Sequence, residues 1–152
     1  RNFCSFYIVE QVYMFKNRPL PIPTPETKSF WSAAAEKRLQ LQQCKSCEHI
    51  YFPPRPFCPN CASRRVFVFD ASGKATLYSY IINHLPAPGY DSPFVIAVVQ
   101  LKEGPRMMCN IIDCQPNPEL LQLDMELEVA FEQRENEISI PQFRPATGQK
   151  HG

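Results

Sequence analysis

Glycine is scarce in this chain, with 5 residues among 152. None of them builds the clustered loop that cradles phosphates in nucleotide-binding enzymes. Long apolar runs are missing as well. The longest, residues 94–99 (Phe-Val-Ile-Ala-Val-Val), is far short of the roughly 20 residues a bilayer-spanning helix needs, so no membrane association is expected. Net charge is only +1, which removes the strong electrostatic footprint of a nucleic-acid binder. Residues 1–15 lack the basic region, apolar core and small-residue cleavage site of a secretory leader. Seven cysteines are also an odd number for a finished disulfide framework. Together these absences place the chain, by expectation, in the cytoplasm. No defensible Ser-His-Asp spacing and no open metal site appear, so no catalytic residue is assigned and a stand-alone enzyme is the weakest reading. His84, the sole acid/base candidate, reads as a structural histidine.

What is abundant is proline, 16 residues, roughly twice ordinary usage. Each interior proline costs a helix roughly 3 kcal/mol, so the chain cannot be mostly long helix. Apolar residues at 44% and charged residues at 20% are the mixture of a folded soluble domain. The length suits one ordinary domain or two very small ones, and the smaller of two would need a staple. Charge changes sign along the chain. Residues 37–74 hold seven basic side chains against two acidic ones, and residues 101–140 hold three against nine. Such a split fits two units with different partners, or one anion-facing surface, or two ordinary solvated faces.

Four cysteines form one pattern: Cys44-x2-Cys47, ten residues, then Cys58-x2-Cys61. A Cys-x2-Cys turn places two thiolates at adjacent vertices of a tetrahedron, and the second turn supplies the other two. Cys44, Cys47, Cys58 and Cys61 are therefore assigned to a structural metal, zinc by general preference, with iron as the alternative ion. Four thiolates leave no open coordination position, so the site is architectural. His49, beside the first turn, is redundant with four cysteines and reads as surface. Cys109 lies in an apolar stretch and reads as core packing.

Along the chain, residues 1–13 are an extended apolar lead-in, read as lying outside the functional domain. Thr24 followed by Pro25 and Glu26 predicts a helix from Thr24 through about Arg38, with Phe30, Trp31, Ala34 and Ala35 on its buried side. Strands are expected at residues 39–42, 49–52 and 66–69 around the cysteine turns. Five more are expected at 75–84, 94–101, 106–112, 126–132 and 138–140. In the first of these five, Tyr78, Tyr80, Ile82 and His84 share one face, and Leu77, Ser79 and Ile81 the other. The fold class is mainly β: an N-terminal helix, a rubredoxin-like zinc ribbon, then a five-stranded OB-fold barrel. The expected units are an N-terminal extension (1–18), a helical segment (19–43), the ribbon (44–70), the OB-fold domain (71–146) and a tail (147–152).

Several stretches, in this order, resemble a known family. They are the proline-punctuated residues 19–25 with Phe30-Trp31, Leu39-x-Leu-x-x-Cys44, and Phe52-Pro-Pro-Arg55 with Cys58-Pro-x-Cys61. They continue with Ser72-Gly73-x-Ala75-Thr76-x-Tyr78-Ser79, Glu103-Gly104-Pro105-Arg106 and Phe143-Arg144-Pro145. The family is the zinc-ribbon/OB-fold proteins long catalogued as a domain of unknown function. The resemblance implies an accessory subunit that binds acyl-CoA or scaffolds a thiolase-like or hydratase-like acyl-CoA enzyme, without catalytic apparatus of its own. Arg55, Arg64, Arg65 and Lys74 are then candidates for the coenzyme A phosphates. Tyr90 and Phe94 are candidates to line an acyl or pantetheine channel, or simply to dock a partner. A departure from the pattern follows the second cysteine of each turn, where Glu48 and Ala62 replace the glycine such ribbons commonly carry. Glycine adopts positive φ cheaply, so strained or differently shaped turns are expected there. The alternative function is a nucleic-acid-binding ribbon/OB module with Tyr78 and Tyr80 stacking bases, a use of the barrel that its acidic half opposes.

Overall fold

The computed structural model describes residues 18–147. The expectations for residues 1–13 and for the last five residues lie outside that range.

The chain first forms one short helix, α1 (Lys28–Ala35), with Phe30, Ala33 and Ala34 buried at i, i+3 and i+4. Trp31 is half-buried and meets Phe30 edge-on, whereas Ala35 faces solvent. The helix is shorter than expected at both ends. Thr24 does not cap it: its carbonyl accepts the Thr27 and Lys28 N–H groups in a preceding turn, and the N-cap is Thr27. At the other end Lys37 turns left-handed (φ 60°). The Arg38 N–H then reaches the Ala33 carbonyl and the Lys37 N–H the Ala34 carbonyl, both at 2.9 Å. That paired closure terminates the helix at Ala35, three residues before Arg38.

Three strands follow in the order β2-β1-β3: β1 (Gln40–Cys44), β2 (Ile50–Tyr51) and β3 (Val66–Asp70). The remaining five, β4 (Lys74–Asn83), β5 (Phe94–Leu101), β6 (Arg106–Ile111), β7 (Glu126–Gln133) and β8 (Ser139–Pro145), close a barrel in the order β4-β5-β6-β8-β7. Alternation fills it. Val95, Ala97, Val99 and Leu101 point inward from β5 and Met107, Cys109 and Ile111 from β6, joined by Leu77, Leu127 and Phe143. The buried core does not stop at the barrel wall. Phe30, Leu39 and Leu41 belong to it, with Ile50, Phe52 and Phe69 packed against it. Helix, three-stranded sheet and barrel thus share one interior. Gly73 sits where the chain passes into the barrel. Its φ is +74°, and a Cβ there would meet Val129 Cγ1 at 2.6 Å, so two independent constraints require glycine.

Two strands depart from the sequence expectation. In β4 the pairing with β5 slips between Leu77 and Ser79, a β-bulge. Leu77 points inward, but beyond the bulge the phase reverses, so Ser79 and Ile81 do not share its face as expected. Tyr80 and Ile82 pack on the core, while Ser79 and Ile81 face out. The last strand is longer than residues 138–140 because it runs through Pro141 and Pro145. It pairs with β7 along seven residues but meets β6 at the single parallel pair Ile111–Phe143. A lightly bonded edge is where a strand tolerates proline. At that seam a side chain replaces the ladder. Buried Gln142 accepts the Asn110 N–H at 2.7 Å and donates to Asn110 Oδ1 and Glu132 Oε2.

Candidate metal centre and ligand surfaces

The two cysteine turns are built alike. In each, the N–H of the first cysteine reaches the carbonyl five residues on: Cys44 to His49 at 3.0 Å, Cys58 to Ser63 at 2.9 Å. In each, its carbonyl accepts the N–H four residues on, from Glu48 at 3.0 Å and from Ala62 at 2.9 Å. Its sulfur in turn receives the N–H two residues on, from Ser46 at 3.3 Å and Asn60 at 3.4 Å. Glu48 and Ala62 both adopt φ 58°. The turns therefore keep the left-handed shape that glycine takes, and the non-glycine residues bear its cost rather than altering it.

These turns bring the four sulfurs within 4.8 Å of one another, with Cys44–Cys61 and Cys47–Cys58 each at 3.6 Å. A tetrahedron with metal–sulfur bonds of about 2.3 Å has edges of about 3.8 Å, so the donor set fits one four-coordinate ion. The electrostatics agree. Burial opposes ionisation of Cys44, yet the Cys47 and Ser46 N–H groups overcome it and bring the thiol down to about 6. The Ser63 N–H favours the Cys61 thiolate, but the surrounding Cys47, Cys44 and Cys58 sulfurs push that thiol up to about 12. Four thiolates this close need a cation to hold them. The four cysteines form a metal site. Cys109, by contrast, is buried in the barrel and its thiol is pushed up to about 12 by burial alone, as core packing requires.

The residues suggested for ligand binding are spread over the molecule. Arg65 straps the two turns together, donating from Nε and Nη2 to Ser46 Oγ at 3.2 and 3.0 Å, while Ser46 and Ser63 hydroxyls meet at 2.8 Å. Arg64 is exposed beside it, and exposed Arg55 docks its backbone N–H on Gln42 Oε1. Lys74 lies at the opposite end of β3's connection, lining a groove of about 690 Å³ with Gln100, Lys102 and Glu128. Tyr90 and Phe94 do come together, their rings stacked at 4.3 Å. They line a groove of about 560 Å³ with Ile96, Met108, Asn110 and Pro141. Arg18 belongs there too: its guanidinium lies 3.7 Å over the Tyr90 ring, and it bonds Gly89 O at 2.8 Å and Glu132 at 2.9 Å. Sequence reasoning missed Arg18 because no local pattern couples it to residues 71 and 114 positions away. Exposed His49 stacks on Tyr51 rather than joining the cysteines.

A tetrathiolate ribbon joined through a shared core to a closed five-stranded barrel defines a zinc-ribbon/OB-fold protein. Residues 31–66 match the family described as the ChsH2 rubredoxin-like zinc ribbon domain, and residues 69–132 the ChsH2 C-terminal OB-fold domain. A DUF35 domain-containing scaffold protein of Pyrococcus furiosus is 35% identical over 107 residues, covering 68% of this chain and 76% of that one. The chain belongs to the DUF35 family of scaffold proteins. It is also 33% identical over 134 residues to a probable enoyl-CoA hydratase alpha subunit of Thermomonospora curvata, covering 88% of this chain. It spans only 41% of that relative's length. Among solved structures, a chain of an Ltp2-ChsH2(DUF35) aldolase superposes with a TM-score of 0.74 at 31% identity, covering 83% of this chain and 98% of that one.

Proposed function

We propose that this protein is a non-catalytic scaffold subunit that holds structural zinc and docks a hydratase-like or thiolase-like acyl-CoA enzyme, contributing to acyl-CoA binding. The carrying observation is the tetrathiolate ribbon fixed on the barrel by one continuous core. Such a body is rigid at both ends and, among the described residues, offers no cluster of nucleophile, base and oxyanion donors. The names of its relatives, a hydratase alpha subunit and an aldolase complex, support the class of partner. A thiolate-bound ion suits a reducing compartment, in keeping with the cytoplasm. In this reading residues 19–43, 44–70 and 71–146 are the working units. Arg55, Arg64 and Arg65 on the ribbon, and Lys74 in its own groove at the barrel entrance, are the candidates for the coenzyme A phosphates, and Tyr90 with Phe94 meets the acyl or pantetheine portion.

Affinity capture from native extract under reducing conditions, read by mass spectrometry, tests the scaffold role. The expected result is an acyl-CoA hydratase or condensing enzyme at stoichiometric level. Titration with an acyl-CoA and with single-stranded DNA at two salt concentrations tests the ligand. Tight, steeply salt-dependent DNA binding without thioester binding would overturn the proposal in favour of a nucleic-acid module.

A further inference from the structure

The ribbon sheet has two edges and treats them differently. On one side β2 is two residues long and is soon followed by Pro53-Pro54, which carry no N–H to offer a further strand. On the other side β3 is five residues, Val-Phe-Val-Phe-Asp, with no proline, no lysine and no register shift against β1. Among the described residues β1 is the only helix or strand whose backbone lies beside it. Phe67 is 38% exposed on one face of this strand and Val68 43% exposed on the other.

The ladder fixes which backbone groups that edge presents. The Ala71 N–H reaches the Leu39 carbonyl at 2.7 Å, and the Lys45 N–H reaches the Arg65 carbonyl at 2.8 Å. In an antiparallel ladder bonded pairs alternate with unbonded ones, so the bonds between these two points belong to Leu41–Phe69 and Gln43–Phe67. Val66, Val68 and Asp70 therefore turn their backbone groups away from β1. The Val66 N–H folds back on the Arg64 carbonyl at 2.9 Å. The Val68 and Asp70 N–H groups and the Val66 and Val68 carbonyls meet no backbone partner among the described residues. An apolar edge in this condition is a template for another strand, and natural proteins ordinarily blunt it.

We propose that β3 takes an extended segment of the partner enzyme as a fourth strand of the ribbon sheet, an inference that rests on the scaffold reading above. Free donors and acceptors at strand spacing select an extended backbone rather than a helix or a small molecule. Phe67 and Val68 require apolar side chains on both faces of that segment. Charge sets a third requirement. At the start of β3 lie exposed Arg64 and Lys45, the Lys45 ammonium 5.6 Å over the Phe67 ring. Neither ion-pairs with a carboxylate among the described residues. At the other end Asp70 is already held by Arg38. The uncompensated charge beside the edge is positive, so the occupant is an apolar strand with an acidic residue next to Lys45 and Arg64.

The test uses the acyl-CoA enzyme captured from native extract, purified and returned to the reduced, metal-loaded chain. In hydrogen exchange the Val68 and Asp70 amides should slow at least tenfold on forming the complex. Val68→Pro removes an outward N–H that β1 does not use. It should weaken binding at least tenfold, with metal content and circular dichroism unchanged. Val68→Thr keeps both that N–H and the β-branched shape and should bind as the wild type does. Lys45→Glu should weaken binding several-fold, and unchanged binding would overturn the acidic character of the occupant. Should Val68→Pro fail to hold metal, exchange in the wild-type complex decides the matter. A complex in which the Val68 and Asp70 amides exchange as freely as before, or one that Val68→Pro forms as tightly, overturns strand addition and leaves the scaffold role standing. Capture of no acyl-CoA enzyme by the wild-type chain overturns the scaffold role, and the strand's occupant with it.

Discussion

The ribbon and the barrel solve the same problem by different means. In the barrel, five strands enclose their own interior, and its largest side chains, Phe143, Leu77 and Leu127, are almost wholly hidden. The ribbon's own cluster is just Cys44, Tyr51 and Cys58 with Cys47 and Val66 against it. Its sheet otherwise presents Phe67 and Val68 to solvent. One unit is held by excluded water and the other by a coordinated ion. Metal binding in zinc-finger peptides is worth roughly 10–16 kcal/mol, comparable to the whole stability of a domain, so the ion can replace a core that a few dozen residues cannot build. The teaching point lies in the join. Phe30, Leu39 and Leu41 sit in the barrel's core, so the ribbon borrows apolar burial on one face and needs the metal on the other.

Removing the ion should break the symmetry between the two units most severely. Cys58→Ser, or chelation of the wild-type chain, is expected to abolish metal content by elemental analysis. Amide protection should fall through residues 40–66 while β5, β6 and β7 keep theirs in hydrogen exchange. A metal-free variant with full protection in the ribbon would overturn the architectural role. The complementary change, Phe143→Ala, deletes a ring that is 0% exposed inside the barrel and should cost about 3–5 kcal/mol. Its effect should appear as a lowered denaturation midpoint with the metal still bound, since none of the four ligands touches that ring's cluster.

Much of this division was legible in the residues. Cysteine spacing alone specified the ligands, because a tetrahedron requires paired donors. Alternation placed β5 with the observed bounds, and Lys102-Glu-Gly-Pro105 marked the turn after it. What stayed hidden depends on contacts distant in sequence. The bulge at Leu77–Ser79 carries no glycine to announce it, so a strict period of two put Ile81 with Leu77 and left Tyr80 and Ile82 on the wrong face. The last strand, expected at residues 138–140, runs on through Pro141 to Pro145, and whether a proline's missing N–H matters depends on the partner strand, which local sequence does not specify. Arg18 falls in the expected N-terminal extension (1–18), although its three contacts tie it to the barrel. The metal centre is a local object and reads locally, whereas the Tyr90 groove is assembled from four separate segments.

The cysteine turns offer a smaller test that sharpens the comparison. Ala62 holds φ 58° in a region where a Cβ costs an L-residue roughly 1–2 kcal/mol. Ala62→Gly relieves that cost but enlarges the freedom of the unfolded chain, so the expected gain is below about 1 kcal/mol. It should appear as slower metal loss to a chelator and a slightly higher midpoint for the ribbon alone, with barrel amide protection unchanged. Destabilisation by this substitution would mean that the Ala62 methyl packs against the turn more than its backbone suffers.

The smallest expected effect concerns acid. Each unit has one carboxylate held below its ordinary range. In the ribbon, Arg38 donates to both Asp70 oxygens at 2.8 and 3.0 Å and lowers its pKa, with Gln40 adding a third bond. In the barrel, Thr147 and then Arg144 do the same for Glu128. A carboxyl whose folded pKa lies below its unfolded value of about 4 stabilises the fold above that pH. The contribution is lost as pH falls through the folded value. Below about pH 4 both contributions fade together, but in the ribbon protonation of the thiolates also releases the ion, so the carboxylate effect is cleanly visible only in the barrel. Glu128→Gln should therefore flatten the fall in the barrel's denaturation midpoint between pH 5 and about pH 2. The flattening should shrink in high salt, because both partners are solvent-accessible and screened. An unchanged slope would assign the barrel's acid sensitivity to other carboxylates and leave the Glu128–Arg144 pair energetically silent.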